Sequence, residues 1–240
     1  MKHQTKIKRY GWTLVELLVA ISVLSILLAT TTVVITTIMR QEKIMGKHKA
    51  VTPFSTLLFY NSPNLQRIAT ETFVKTKYTT NSKTKNNNIK KNHVPKKKIS
   101  IGYYSADFCI HPVSNLIINL LELHDKSKFD LYGFYFGPDK KDEMFKRSLK
   151  AFHHFYDVNS KTDKEIAQLS RDLNIDIAID LMGFTEKNRF GIFVEKCAPI
   201  QVNYLGYPGT SGSECINYII ADKTLIPKEN QKDYSEKIVY

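Results

Sequence analysis

Hydrophobic and polar positions divide the chain into three unlike stretches. Across residues 12–39 nearly every position is apolar and Glu16 is the only acidic residue. That run exceeds the ~20 residues a helix needs to cross a bilayer, so a transmembrane helix is expected there. Residues 41–97 show no sustained period. A short helical or extended piece is expected at 52–60 and a helical turn or two at 69–77, while residues 78–98, rich in Asn, Lys and Thr, read as a solvated linker. From residue 98 the pattern becomes regular. Short β-branched and aromatic runs predict strands at 99–104, 129–136, 154–158, 175–181, 200–204 and 218–221. Between them, helices are expected at 112–124, 140–152, 162–173 and 189–197, with Thr162 or Asp163 as a cap. This alternation predicts an α/β fold, a Rossmann-like parallel sheet with helices on both faces.

Charge sharpens the division. The net charge is +12, but residues 1–98 hold 18 Lys and Arg against 3 Asp and Glu, and the remainder 17 against 20. The basic character therefore belongs to the first part. No aromatic residue interleaves the cluster Lys90, Lys91, Lys96, Lys97 and Lys98, so base stacking has no support and no specific nucleic-acid partner is expected. Arg40, Lys43, Lys47 and Lys49 follow the apolar run while Lys2, Lys6, Lys8 and Arg9 precede it, which leaves orientation in a membrane open. Three scattered cysteines, Cys109, Cys197 and Cys215, make no disulfide framework, and without CxxC spacing no structural metal is expected. No GxGxxG or Walker loop occurs in the regular part, which speaks against a bound cofactor.

In an open parallel sheet, ligands sit beyond the carboxyl ends of the strands. Three polar or glycine-bearing loops are expected there: residues 105–112, with Asp107, His111 and Pro112; residues 183–185, with Gly183 and Thr185; and residues 205–212, with Leu205, Gly206, Pro208, Gly209 and Gly212. His111 suits general acid or base work, or caps the helix that Pro112 starts. Asp107 is expected to cap that helix or to orient a histidine. His153 and His154 are expected to be structural, and His124 to lie at a helix C-terminus.

Residues 98–108 with His111-Pro112, Tyr132-Gly133, Gly137-Pro138-Asp139, Asp180-Leu181-Met182-Gly183-Phe184-Thr185, residues 198–212, Tyr218–Asp222 and Tyr234–Lys237 resemble, collinearly, the catalytic region of the O-linked N-acetylglucosamine transferases, the SPINDLY-like glycosyltransferases. The resemblance implies a GT-B fold and metal-independent, inverting transfer of N-acetylglucosamine from UDP-N-acetylglucosamine, a substrate rather than a cofactor, to Ser or Thr of an acceptor protein. It implies His111 as the active-site histidine. It also implies that Gly183, Thr185, Leu205, Gly206, Pro208 and Gly209 line the acceptor and sugar side of the cleft. Two positions depart from the family pattern, with Ile110 and Met182 where Asn is usual. The family's second lobe, which carries most UDP contacts, would follow Tyr240. The chain is therefore expected to hold the first lobe and to be incomplete as an enzyme, with a second lobe supplied in trans or lost from a fused or truncated reading frame.

Residues 11–20 resemble the N-terminus of type IV prepilins and pseudopilins. That resemblance implies cleavage after Gly11, Trp12 as the new N-terminus in place of the usual Phe, and Glu16 as the acidic residue that registers subunits in a filament. The expected organisation is a leader and membrane helix over 1–40, a basic linker over 41–97 and the transferase lobe over 98–240. The lobe would be cytoplasmic, or extracytoplasmic if the chain is processed as a prepilin. The alternative role is that of a membrane-anchored pilin-like structural subunit.

Overall fold

The computed structural model describes residues 52–59, 62–78, 97–139 and 141–240. The expected membrane helix, with Gly11, Trp12 and Glu16, and most of the linker lie outside these residues. Among the described residues no helix is long and apolar enough to cross a membrane.

Two helices, α1 (Pro53–Phe59) and α2 (Pro63–Tyr78), precede the sheet. The sheet region then runs β1 (Ile99–Ser105), α3 (Pro112–Leu123), β2 (Phe129–Tyr135), α4 (Glu143–Ala151), β3 (His154–Asp157), α5 (Asp163–Asp172), β4 (Ile177–Asp180), α6 (Gly191–Val194), β5 (Ile200–Tyr204), β6 (Tyr218–Ile220), a 3₁₀ turn (Lys228–Asp233) and β7 (Lys237–Val239). The seven strands form one sheet in the order β3-β2-β1-β4-β5-β6-β7. Every neighbouring pair is parallel, with Ile101 opposite Ile177 and Ile179 opposite Val202.

The strand period of two sorts side chains cleanly between the faces. Ile101, Tyr103, Leu131, Ile179 and Val202 meet Ile117, Ile118 and Leu121 of α3 and Ala151 of α4. Tyr104, Phe134 and Ala178 point the other way, onto Ile166 and Ala167 of α5 and Ile192 and Phe193 of α6. Tyr104 and Phe134 stack at 4.4 Å across the β1–β2 pair. Helix α2 joins this second layer, Phe73 meeting Phe184 edge-on at 5.6 Å and Tyr78 meeting Phe190 at the same distance. Both faces are thus covered, as a parallel sheet requires. The three cysteines are buried, Cys197 and Cys215 in the second layer, and none is in a disulfide.

Several boundaries differ from the sequence reading. The second helix of the sheet region opens at Glu143 because Asp142 caps it, its Oδ1 accepting from Phe145 N–H at 2.9 Å. The strand expected over 175–181 is shorter, since Ile175 N–H bonds Ser170 C=O and so belongs to the exit of α5. The helix expected over 189–197 is a single turn, Gly191–Val194, closed off before Lys196 at φ 54°. Helix α2 runs for 16 residues, well beyond the turn or two expected. The 3₁₀ turn and β7 were not foreseen. A three-residue edge strand carries too short an alternation to read.

Gln201 of β5 knits the lower end of the sheet. Its buried Oε1 accepts from Cys197 N–H at 2.9 Å, and its Nε2 donates to Phe193 C=O at 2.9 Å and to Cys215 C=O at 2.6 Å. A buried amide satisfied on both ends can be removed only by orphaning its partners. Gln201→Leu is expected to cost about 3 kcal/mol of folding stability, read as a lowered urea midpoint with unchanged slope.

Candidate active site at the carboxyl edge of the sheet

Strand order places the crevice. The chain builds outward from β1 to β2 and β3, then returns to lay β4 on the other side of β1. The loops after β1 and β4 diverge to opposite faces at this switch point, and the loop after β5 stands beside them. The three loops expected from sequence therefore share one edge.

The loop after β1 is folded onto itself. Ser105 Oγ accepts from Asp107 N–H at 2.9 Å, and Ser114 Oγ donates to Asp107 C=O. Met182, from the neighbouring loop, is 2% exposed, and its Sδ accepts from Ala106 N–H at 3.4 Å and from Ser105 O–H at 3.5 Å. A thioether is a weak acceptor. Here it ties the β1 and β4 loops together at a position where the resemblance leads one to expect an amide.

His111 is the N-cap of α3, in extended backbone, with Pro112 as the first helical residue. This corrects the expectation that Asp107 caps the helix. The ring's Nδ1 accepts from Val113 N–H at 3.3 Å and also lies 3.5 Å from Asp107 Oδ2. The two contacts demand different protonation of one nitrogen. While Nδ1 caps the helix through its lone pair, the neutral ring carries its proton on Nε2 and presents a donor. When Nδ1 carries a proton it can pair with Asp107 instead. Burial pushes the Asp107 carboxyl up from its ordinary range, against the pull of His111 and Lys187. The His111 side chain is 42% exposed and Nε2 makes no hydrogen bond to a described residue.

In the β4 loop, Thr185 O–H donates to Met182 C=O at 2.8 Å. Gly183 takes φ +53°, and a Cβ there would stand 2.3 Å from Tyr207 Cβ, so no other residue fits. Asp180 ends β4, 2% exposed, with Oδ1 accepting from Met182 N–H at 2.8 Å. Desolvation outweighs the Met182 and Gly183 amides and lifts its carboxyl to about 6. In the β5 loop, Gly206 N–H bonds Tyr204 C=O at 2.8 Å around Leu205, held at φ 69°. A three-residue turn with its centre at positive φ is rare and strained. A Cβ on Gly206 would fall 1.9 Å from Leu181 O, so this turn lies directly on the β4 loop. Pro208 is half-buried and Gly209 buried beside Tyr207.

Among the described residues the other histidines, His124, His153 and His154, contact the backbone or neighbouring rings, His154 stacking on Tyr132 at 4.6 Å. His124 follows α3, its ring bonded to Tyr103 O–H at 2.8 Å, and His153 Nδ1 accepts from Leu131 N–H at 2.9 Å. Among the described residues no group of His, Cys, Asp or Glu is arranged to hold a metal ion. Sequence reasoning missed Asp180 and Met182 as working parts of the site. An acid closing an apolar strand was the available signal for Asp180. Met182 was marked only as a departure from the family pattern, with no sign of the contact it makes.

The model of one protein family, described as glycosyl transferase family 41, matches residues 35–240. The chain belongs to glycosyl transferase family 41. A second model, the prokaryotic N-terminal methylation motif, matches residues 7–32. Among curated proteins, this family 41 chain is 34% identical over 144 residues to a probable UDP-N-acetylglucosamine–peptide N-acetylglucosaminyltransferase SEC of Arabidopsis thaliana, covering 60% of this chain and 15% of that protein. A UDP-N-acetylglucosamine–peptide N-acetylglucosaminyltransferase of Caenorhabditis elegans is 33% identical over 148 residues, covering 60% and 12%. The chain thus spans less than a sixth of the length of these two relatives. Among solved structures, an O-GlcNAc transferase mutant of Thermobaculum terrenum superposes with a TM-score of 0.65 at 25% identity, covering 74% of this chain and 34% of that one.

Asp180 sets a pH test. A raised carboxyl binds its proton more tightly in the folded state, so its contribution is full below the unfolded value near 4 and is lost as pH rises through about 6. Between those limits the wild type is expected to lose about 3 kcal/mol through this group. In Asp180→Asn that part of the pH dependence should vanish, measured by urea unfolding across the range.

Proposed function

We propose that residues 98–240 form the first lobe of a GT-B glycosyltransferase that moves N-acetylglucosamine from UDP-N-acetylglucosamine to Ser or Thr hydroxyls of an acceptor protein. Transfer would proceed with inversion and without metal. The observation that supports the reading is that the loops after β1, β4 and β5, which carry Asp107 and His111, Thr185, and Leu205 to Gly209, leave the same edge of one parallel sheet in a chain of this family. The Nε2–H of the capped His111 would donate to an oxygen of the sugar or of its leaving group. Removal of the acceptor proton would require the ring to give up its Val113 cap and turn Nδ1–H to Asp107, which frees the Nε2 lone pair. Gly183 and Gly206 would let the β4 and β5 loops present backbone close to the sugar, and Thr185, Leu205, Pro208 and Gly209 would line the acceptor side. A second lobe, joined or in trans, would hold the diphosphate. The test is transfer of radiolabelled N-acetylglucosamine to a Ser/Thr-rich peptide by the full chain, alone and with a purified second lobe of the family added. Transfer is expected with the lobe added, and His111→Ala should lower it on the order of 100-fold. No transfer in either arrangement overturns the reading.

The methylation motif supports a second proposal, that residues 12–39 anchor the chain in a membrane after processing at Gly11, with Glu16 available to a neighbouring subunit. Co-expression with a prepilin peptidase is expected to shorten the chain by the leader and leave a methylated Trp12. An N-terminus that remains Met1 would sink this idea.

A further inference from the structure

Parallel strands need a crossover, and most crossovers are helical. The β5–β6 connection is not. Residues 205–217 leave the carboxyl edge and return to the start of β6 without a helix. Their backbone polar groups must find partners elsewhere, because an unpaired buried amide is costly.

Some find them in β5, where Asn203 Nδ2 donates to Tyr207 C=O at 3.3 Å and Gln201 Nε2 to Cys215 C=O at 2.6 Å. Those of residues 208, 211 and 212 find them in Thr210 and in residues 234–236, just before β7. Glu236 is 5% exposed, and its Oε1 accepts from Ser211 N–H at 2.5 Å while its Oε2 accepts from Thr210 O–H at 2.7 Å and from Ser235 O–H at 3.2 Å. Thr210 Oγ1 in turn accepts from Gly212 N–H at 3.2 Å and from Ser235 N–H at 3.1 Å. Tyr234 O–H donates to Pro208 C=O at 2.9 Å. From the other side Gly212, at φ +57°, presses on α2, where a Cβ would stand 2.8 Å from Glu71 N.

Thr210 Oγ1 already receives two backbone N–H groups, so its own proton goes outward, to Glu236 Oε2 at 2.7 Å or to Ser235 Oγ at 3.0 Å. In the second case Ser235 O–H donates onward to Glu236. Ser211 N–H points at the same side chain. Each of these groups offers a proton, and only a carboxylate accepts them all.

We infer that Glu236 is a positioning residue of the candidate site: its carboxylate fixes the crossover that carries Leu205, Gly206, Pro208 and Gly209. The role of that crossover in transfer rests on the glycosyltransferase reading above. The position of the crossover does not. In Glu236→Gln the amide NH2 must face a donor in either orientation, Ser211 N–H or the Thr210 hydroxyl, so the isosteric variant should behave as a loss. Thr210→Val should match it, Thr210→Ser should restore the wild type, and Tyr234→Phe should give a milder form.

Two measurements on the full chain test this. The first is hydrogen exchange. Glu236→Gln and Thr210→Val are expected to speed exchange of the amides in residues 206–212 by about tenfold or more, with β1 and β4 unchanged and Thr210→Ser at the wild-type rate. Unchanged exchange in residues 206–212, or an equal rise throughout the sheet, overturns the inference. The second is transfer with the second lobe added, where the acceptor KM is expected to rise about tenfold at unchanged donor KM. A local rise in exchange with the acceptor KM unmoved also overturns it. If the wild type transfers nothing, the proposed activity fails, and the exchange result still decides whether Glu236 holds the loop.

Discussion

Burial of β1, β4 and β5 on both faces is the constraint on which the rest depends. Aromatic and aliphatic side chains fill both layers, with Tyr104 and Phe134 stacked on one and Tyr103 and Leu131 on the other. Water reaches these strands only where they end, so polar chemistry is confined to their tips. The return of the chain to β1 then selects which tips meet. The loop that carries Asp107 and His111 meets Met182 of the β4 loop because β1 and β4 are neighbours, although the two loops are far apart in sequence.

Two buried carboxylates near the site have different company. Asp180 has only the amides of its own turn for company, and burial raises its proton affinity. Glu236 is surrounded by a backbone amide and two hydroxyls that all donate to it. An acid taken out of water is tolerable where fixed dipoles replace the solvent and strained where they do not. One carboxylate is thus an internal strut. The other is a group whose charge state follows the surroundings.

Much of this was legible in the chain. The β-branched and aromatic runs at 99–104 and 129–136, alternating with the helix expected over 112–124, predicted the layers, because a parallel sheet must be covered on both faces. The loops could be placed on one edge for the same reason: parallel strands put all their exits on one side. What could not be read were relations between distant residues. Asp107 and His111 were both candidate caps, and the chain could not choose between them: His111 takes the position, its ring reaching Val113 N–H while Asp107 faces the ring. Glu236 carried no local signal, since its partners lie 25 and 26 positions earlier. The single turn of α6 was overestimated because Phe190 and Phe193 suit a helix as well as they suit the core that they fill.

The cysteines bear on where such a lobe can work. Cys197 and Cys215 lie deep under α6, and burial pushes both thiols upward, Cys215 to about 11. Thiolate, the form that oxidants and disulfides attack, is therefore scarce at either position. Cys109 is enclosed as well, only 4% exposed. The folded lobe offers an oxidising environment little to react with, and a reducing one has no bridge to break. Redox chemistry consequently does not tie this fold to one compartment.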